Sequence, residues 1–329
     1  MGAYLEIKNL QVNVEIIEGC KRVLDIDHFC VEKGETFGIV GESGAGKSIL
    51  AQSILGILPY PPAIIENGTI FFQGKDLLQL NGKKMQSDIR GKKISMIFQD
   101  PMSSLNPVFR VGDQIRNVIK KHNRNMSRDE LDNEVLEKLR MVKLPDVENT
   151  KNKYPNELSG GQRQRIIIAI ALSCGAELLI ADEPTRNLDV TIQAGVLKLL
   201  FGLKKKLGIT TLFIANNINL VFIVSQKVGV LYKGKIIEMG TAQEIKNNPH
   251  HPYTLDLLGI SHNENKEKVI PVKNKSLTKE WENQYTLCPY INQCPFSVDQ
   301  CFQSQPPVVK VNSNHVVSCF RDFMEMERR

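Results

Sequence analysis

Residues 41–48 read GESGAGKS, and they stand between a short apolar run, TFGIVG, and a segment with helical spacing, ILAQSILGIL. The spacing G-x4-G-K-S between a strand and a helix is the pattern of a phosphate-binding loop. Its glycines let backbone N–H groups curl around the β- and γ-phosphates, and the N-terminus of the following helix adds a positive potential. This stretch predicts a nucleotide-binding α/β fold.

Every residue of this loop is a candidate nucleotide ligand. We expect Lys47 to neutralise phosphate charge and the hydroxyl of Ser48 to bind Mg²⁺. The candidate ligands are Gly41, Glu42, Ser43, Gly44, Ala45, Gly46, Lys47 and Ser48.

A second apolar run, ELLIADEP at residues 177–184, has the form of a buried parallel strand that ends in two carboxylates. Catalytic groups of parallel sheets lie at the carboxyl ends of the strands. An acidic pair after a strand is also a common start for a plain loop. Together with the phosphate loop it favours a catalytic site, in which Asp182 holds Mg²⁺ through water and Glu183 polarises the attacking water as general base.

Composition limits the classes of protein to consider. The chain has 329 residues, of which 42% are hydrophobic and 24% charged, which suits a globular protein with one large core and an appendage. Its net charge of +6 is a modest bias among 36 acidic residues, so we expect no nucleic-acid partner. The first residues lack a secretory signal, and the longest apolar run, residues 166–180, is interrupted and too short for a bilayer. We therefore expect a cytosolic chain that reaches a membrane only through a partner.

Two further motifs point to one family. Residues 158–162 read LSGGQ and precede a run of helical spacing, RQRIIIAIAL, while Gln99 lies in MIFQDP. LSGGQ alone is a turn and a helix cap. With the loop and the acidic strand end, these motifs resemble the ATP-binding cassette (ABC) family over residues 4–240. The resemblance implies an α/β fold: an ABC-type P-loop NTPase core with an antiparallel β layer, a helical subdomain at about residues 100–160, and a small Cys-rich C-terminal domain.

The resemblance also assigns roles. Members dimerise head to tail, so the signature of one subunit closes over the γ-phosphate held by the other. Gln99 is the implied sensor of γ-phosphate and Mg²⁺, which places Ser48, Gln99 and Asp182 around the metal. The segment QDPMSSLNPV lies beside the membrane subunits in the family's importers, and Asp189 matches the aspartate that links the two sites. The implied signature residues are Ser159, Gly160, Gly161 and Gln162.

The chain departs from the family pattern at three places. After the strand TTLFIA, Asn216 stands where the family has a switch histidine that contacts the γ-phosphate, and Asn217 follows in place of an aspartate. An asparagine amide can donate a hydrogen bond but can neither carry charge nor relay a proton. Arg186 and Asn187 replace small residues before Asp189, and VNVEIIEG offers no aromatic residue to stack on adenine.

These departures predict a division of labour. The signature LSGGQ is intact, whereas the changes fall on the composite site built on this chain's own phosphate loop. We expect a heterodimer with a paralogous ABC ATPase, in which this chain supplies a sound signature to its partner and hydrolyses ATP slowly at its own site. Adequate substitution by Asn216 is the alternative, because its amide can still donate a hydrogen bond.

The sequence within and after the ABC-like residues 4–240 indicates the branch of the family. GILPYPPAIIENGTIFFQGKDLL, QDPMSSLNPV and NPHHPYT at residues 248–254 resemble the oligopeptide, dipeptide and nickel importer ATPases. The implied partners are two membrane permease subunits and an external substrate-binding protein, with this chain peripheral on the cytoplasmic face of the membrane. Peptides are the expected cargo. Nickel or a metal chelate is the rival cargo, and a soluble ABC protein that acts on nucleic acid is the alternative from another class.

Residues 259–329 form the expected C-terminal extension to an ATPase domain at residues 1–258. It begins with a polar, Lys/Asn-rich stretch that reads as a linker, and four of the seven cysteines follow: Cys288, Cys294, Cys301 and Cys319. Their spacing is unlike that of structural zinc sites but matches the importer branch, where some members hold a [4Fe-4S] cluster. A [4Fe-4S] cluster is the expected cofactor beside ATP and Mg²⁺, with Zn²⁺ or free thiols as alternatives.

Overall fold

The computed structural model describes residues 3–17, 19–100, 104–260 and 287–321. These residues form two compact units, each assembled from separated parts of the chain. The first unit comprises the described residues within Met1–Cys30, Phe37–Lys75 and Ala215–Arg329, and the second those within Val31–Thr36 and Asp76–Ile214. Two predicted features, residues 101–103 of the segment beside the membrane subunits and most of the polar linker, lie outside the described residues.

The strands of the described residues are β1 (Leu5–Ile16), β2 (Gly19–Val31), β3 (Thr36–Val40), β4 (Ala63–Phe72), β5 (Lys75–Asp76), β6 (Ile94–Ile97), β7 (Leu178–Asp182), β8 (Thr210–Ala215), β9 (Lys227–Tyr232), β10 (Lys235–Thr241), β11 (Val308–Lys310) and β12 (Val316–Ser318). The helices used below are α1 (Lys47–Leu55), α2 (Val111–His122), α3 (Arg128–Met141), α4 (Gly160–Leu172), α5 (Val190–Leu207), α6 (Ile218–Val224), α7 (Ala242–Asn247) and α8 (Pro252–Leu257). Helical single turns occur at Gly82–Lys84 and Val147–Thr150.

An antiparallel layer of the first unit is built on β1 and β4, with β2 on the other side of β1. The pairing runs from Leu5 opposite Phe72 to Val14 opposite Ala63. Buried residues alternate along β1, as expected for a strand with one face on the core, and the register shifts around Asn9, which has a positive φ of 49°. The predicted antiparallel β layer is therefore present.

A second sheet of the first unit is mixed. Strand β3 pairs in parallel with β9, and β10 returns antiparallel to β9. Strand β12 then pairs with β10, with Glu238 opposite Val317, and β11 pairs with β12. The C-terminal extension thus adds two short strands to this sheet, and the predicted small Cys-rich C-terminal domain is not confirmed.

The second unit holds a parallel sheet in the order β8, β7, β6, together with helices α2 to α5. Every residue of β6, β7 and β8 is buried. Continuous burial is what a parallel strand covered on both faces requires, and the apolar runs of the sequence predicted it. No helix within the described ranges combines the length and apolar character needed to cross a membrane.

Candidate nucleotide-binding and catalytic site

The phosphate loop lies between β3 and α1, in the strand-loop-helix order that the sequence predicts. Gly46 caps α1 with a φ of 103°, a conformation that L side chains rarely adopt. Gly41 needs to be glycine for a different reason, since a Cβ there would lie 2.1 Å from the carbonyl oxygen of Leu231 in β9. The first half of the loop therefore rests directly on the backbone of the sheet.

Lys47 is buried at the base of the loop, with 4% of its surface exposed. Its Nζ donates to the carbonyl oxygens of Gly41 at 2.8 Å and Glu42 at 2.7 Å. These bonds hold the ammonium group inside the curve of the loop, where phosphate charge would be received.

A polar cavity of about 510 Å³ opens at the loop, within the first unit. Residues 42–45 of the loop line it together with Lys21, Arg22, Val23, Tyr232, Lys233 and Gln293. The basic side chains give it a positive rim suited to a triphosphate. Arg22 is tied to the carboxylate of Glu66 at 2.9 Å, and Gln293 comes from the C-terminal extension, which the motif analysis did not connect with this site.

The two predicted catalytic carboxylates follow one another at the end of β7. Asp182 is the last residue of the strand and is 2% exposed, and Glu183 is 8% exposed. Glu183 has a positive φ of 46°, and its N–H donates to the carbonyl oxygen of Ile214 at 2.8 Å. A left-handed conformation of a non-glycine residue stores on the order of 1 kcal/mol of strain, and such residues concentrate at functional sites.

The most informative contact of the second unit is one that the motif analysis missed. The guanidinium of Arg186 lies 3.1 Å from Oε2 of Glu183, the predicted general base. Arg186 is a departure from the family pattern whose effect the sequence left open. The i, i+3 spacing of the two residues was the available signal, but only the turn that follows Glu183 makes them neighbours.

Asp189 forms the N-cap of helix α5, because its side chain accepts from the backbone N–H of Ile192 at 3.0 Å. Thr185 Oγ1 accepts from Gln193 Nε2 at 3.1 Å, which ties the loop before Asp189 to the first turn of the same helix. The predicted linking aspartate thus sits on a loop that is locally well held.

The predicted signature residues begin helix α4. Ser159 Oγ accepts from the N–H of Gln162 at 3.3 Å, and Gln162 Oε1 accepts from the N–H of Ser159 at 3.0 Å, which is a capping box. These two bonds do not involve the N–H groups of Gly160 and Gly161, which lie in the first turn at the positive end of the helix. The arrangement suits the role that the family resemblance implies for LSGGQ.

Gln99 lies just beyond β6 and is half-buried, beside the exposed Phe98. The structure describes the chain up to residue 100 and again from residue 104. The roles of Gln99 in sensing γ-phosphate and of the following segment in contacting membrane subunits stay predictions.

The two asparagines after β8 have different surroundings. Asn217 forms the N-cap of helix α6, since its Oδ1 accepts from the N–H groups of Asn219 at 3.0 Å and Leu220 at 3.2 Å. It therefore retains the capping capacity of the aspartate that it replaces. Asn216 is half-buried, and among the described residues its buried Oδ1 has no hydrogen-bond partner.

The C-terminal cysteines are near one another but do not form a recognisable metal site. Burial raises the pKa of Cys288 to about 12, and the charges of Cys319 and Cys301 add to this effect. Burial likewise raises the pKa of Cys294 to about 12. Within the described ranges, however, no three or more His, Cys, Asp or Glu side chains are grouped so that they could hold a metal ion. The expected iron–sulfur cluster, and the zinc alternative, therefore lack support from the arrangement of the ligands.

Comparison with known proteins gives matches along most of the chain. The family model described as ABC transporter matches residues 24–186, and the model described as oligopeptide/dipeptide transporter, C-terminal region, matches residues 237–301. The oligopeptide transport ATP-binding protein OppD of Bacillus subtilis (strain 168) is 41% identical over 318 residues, which cover 95% of this chain and 87% of that protein. The dipeptide transport ATP-binding protein DppD of the same organism is 40% identical over 322 residues, covering 97% and 95%.

Solved structures agree with the fold. The dimeric structure of MJ0796, a bacterial ABC transporter cassette, matches with a TM-score of 0.64 and 26% identity. The match covers 72% of this chain and 98% of the cassette. The similarity thus extends over nearly the whole cassette, and part of this chain lies outside it.

Proposed function

This chain belongs to the ATP-binding cassette family, in its oligopeptide and dipeptide transporter branch, and from that premise we propose that it is the ATP-hydrolysing subunit of a peptide importer. In this function it powers the uptake of oligopeptides or dipeptides across the cytoplasmic membrane. The observation that carries the proposal is the match of residues 237–301 to the C-terminal region of such transporters. The ATPase domain is proposed to span residues 1–258 and the extension residues 259–329.

The proposed partners are two membrane permease subunits, an external substrate-binding protein and a second, paralogous ABC ATPase. The chain then works as a peripheral subunit on the cytoplasmic face of the membrane. The relatives named above are described as transport ATP-binding proteins for peptides, which supports this assembly.

The chemistry follows from this chain's own residues. Lys47 and the N–H groups of the loop bind and orient the phosphates, and Asp182 and Ser48 would hold Mg²⁺, which supplies charge neutralisation when it is bound. The buried carboxylate at a strand end and the hydroxyl at a helix N-terminus are oxygen donors of the kind that Mg²⁺ prefers, so these residues fit the ion. Glu183 then positions a water and takes up its proton.

We propose that this chain's own composite site is slow and that its intact signature serves the partner's site. Two observations support this. Arg186 forms an ion pair with a carboxylate oxygen of Glu183, and Asn216 stands where the family has a switch histidine. An amide in that place forgoes the charge-assisted contact to a transition-state phosphate.

A metal at Cys288, Cys294, Cys301 and Cys319 stays a separate proposal that rests on the resemblance to the importer branch. The mutual effect of the thiol charges on their pKa values supports proximity. Iron and acid-labile sulfide in purified protein, together with broad visible absorbance, are the expected result. A preparation that contains zinc without iron, or no metal, would refute the proposed iron–sulfur cluster.

The cargo is tested with the complete importer in proteoliposomes. We expect ATP hydrolysis and uptake to rise when the external binding protein is loaded with a peptide, and to stay at the basal rate with Ni²⁺ or a nickel chelate. Stimulation by nickel alone would refute peptide as the cargo and support a metal importer. Recovery of RNA without permease subunits in a pull-down would refute the importer assignment.

A further inference from the structure

Helix α8 reaches the beginning of the phosphate loop within the first unit. The hydroxyl of Tyr253 accepts a hydrogen bond from the N–H of Glu42 at 3.1 Å. The carbonyl oxygen of Glu42 accepts from Lys47 Nζ at 2.7 Å. Glu42 is thus held through its N–H by a residue outside the loop and through its carbonyl by the lysine that is predicted to bind phosphate.

This tether, the hydrogen bond from the N–H of Glu42 to Tyr253, acts on the exposed part of the loop. Residues 42–44 are exposed, whereas residues 45–47 are buried. The later residues are also fixed by the start of α1 and by a hydrogen bond from the N–H of Gly234 to the carbonyl oxygen of Ala45 at 2.9 Å. In the exposed segment, the carbonyl oxygen of Glu42 also accepts from the N–H of Ala45 at 3.2 Å, a bond within the loop. The bond to Tyr253 connects this segment to a residue outside the loop.

Tyr253 is itself rigidly held. It is 2% exposed, and its ring packs against Tyr232 at a centroid distance of 4.4 Å. Burial raises the pKa of its phenol well above the usual value, so the hydroxyl stays neutral. Its backbone N–H donates to Nδ1 of His251, the N-cap of α8, at 3.0 Å.

The start of α8 is fixed by a buried carboxylate. Both oxygens of Glu238, which is 1% exposed, accept backbone N–H groups, from His250 at 2.7 Å and His251 at 3.0 Å. The ring of His315, from the C-terminal extension, lies 2.8 Å from the same carboxylate. A charged group buried in this way is stable only while these partners are in place, so α8 and the extension hold one another.

The extension also touches Tyr253 directly. Tyr290 packs against Tyr253 at a centroid distance of 5.5 Å and against Tyr232 edge-on at 5.3 Å. Its hydroxyl bonds to the carboxylate of Asp256 on α8. Gln293 accepts from the hydroxyl of Tyr232 at 3.4 Å and lines the cavity at the loop.

We propose that Tyr253 is a positioning residue of the ATPase, which preorganises the phosphate loop for nucleotide and is held in place by the C-terminal extension. A loop that is ordered before binding avoids the entropic penalty of ordering. In an untethered loop the apparent dissociation constant rises as the inverse of the fraction of time for which the loop is correctly placed. The inference rests on ATP binding at this loop and is independent of the cargo.

The variant Tyr253→Phe removes the hydroxyl and keeps the ring. We expect the dissociation constant for ATP to rise by about two- to tenfold, the usual effect of losing one neutral hydrogen bond. The rate at saturating ATP should change by less, because the tether acts on binding. Hydrogen exchange at the amide of Glu42 should become faster in the full-length variant without nucleotide.

Tyr290→Phe tests the support from the extension, since it removes the bond to Asp256 on α8 and keeps both the ring packing and the Tyr253–Glu42 bond. Because the start of α8 is still held at Glu238, this variant should lower the melting temperature and weaken ATP binding by less than Tyr253→Phe does. An unchanged dissociation constant in Tyr253→Phe, or a loss of affinity in Tyr290→Phe as large as in Tyr253→Phe, would overturn the proposal. Absence of ATP binding by the unmodified chain would instead refute the proposed function.

Discussion

Replacing Arg186 by serine tests whether the pair with Glu183 restrains the general base. In the native chain, a water that approaches Oε2 of Glu183 must share this oxygen with the guanidinium or displace it. Serine is a small residue of the kind usual in the family at this position, and it cannot make that ion pair. We therefore expect hydrolysis at this chain's own site to become faster.

The magnitude follows from the exposure of the two side chains. Glu183 is 8% exposed, but Arg186 is 44% exposed, so solvent and salt screen the pair. Ion pairs of this kind contribute about 0.2–1 kcal/mol, and the buried partner places this one near the upper end. Since 1.36 kcal/mol corresponds to a tenfold rate, release of the carboxylate should raise turnover by about two- to fivefold.

The assay is phosphate release at saturating ATP by the full complex, with the general base of the partner ATPase inactivated so that only this chain's site is measured. Arg186→Lys is the control, because it keeps the charge and should stay close to the native rate. Added salt should raise the native rate toward that of Arg186→Ser. A rate that falls or does not change in Arg186→Ser would refute the restraint.

Three other predictions concern Asn216 at the switch position, Ser159 in the signature LSGGQ, and the dependence of stability on pH. Asn216→His should raise turnover in the assembled complex, by up to about two orders of magnitude if a charge-assisted contact is restored, and an unchanged rate would remove the main support for a slow own site. Ser159→Ala should lower the stability to unfolding by about 1 kcal/mol through loss of the α4 cap, as measured by denaturant titration, with Ser159→Asn as the capping control. Burial lowers the pKa of His251 to about 4, against the opposing charge of Glu238. The pKa of His251 in the folded chain lies below its unfolded value of 6.5, so neutral His251 supports the folded state fully above pH 6.5. As the pH falls toward 4, the free energy of unfolding should decrease by on the order of 3 kcal/mol. His251→Asn, which can keep the cap, should flatten this part of the stability profile, and an unchanged profile would assign the acid sensitivity to other groups.

Local sequence patterns were sufficient to predict the main elements of the ATPase domain. The phosphate loop, the buried strand before Asp182 and the helix start at Ser159 are each coded within a few consecutive residues, because strand burial, glycine conformations and helix caps depend on near neighbours. The same locality limits what could be predicted for the C-terminal extension. The spacing of Cys288, Cys294, Cys301 and Cys319 predicts a cluster, but a ligand set depends on where each thiol is placed in space, and among the described residues no such set is grouped. The two strands within residues 308–318 were not predicted, because strands of three residues carry too little periodicity to be recognised.

The sequence by itself determined the family, the α/β class and the identity of the candidate catalytic residues, since each of these is written in short segments whose spacing reflects their chemistry. Only the tertiary structure decided which of them restrain or support one another. Arg186 meets Glu183 because the chain turns after β7, and Tyr253 meets Glu42 across 211 positions of sequence. The first contact depends on the backbone conformation of the turn at Glu183. The second depends on the path of the whole chain between the two residues, and a local pattern carries no record of that path.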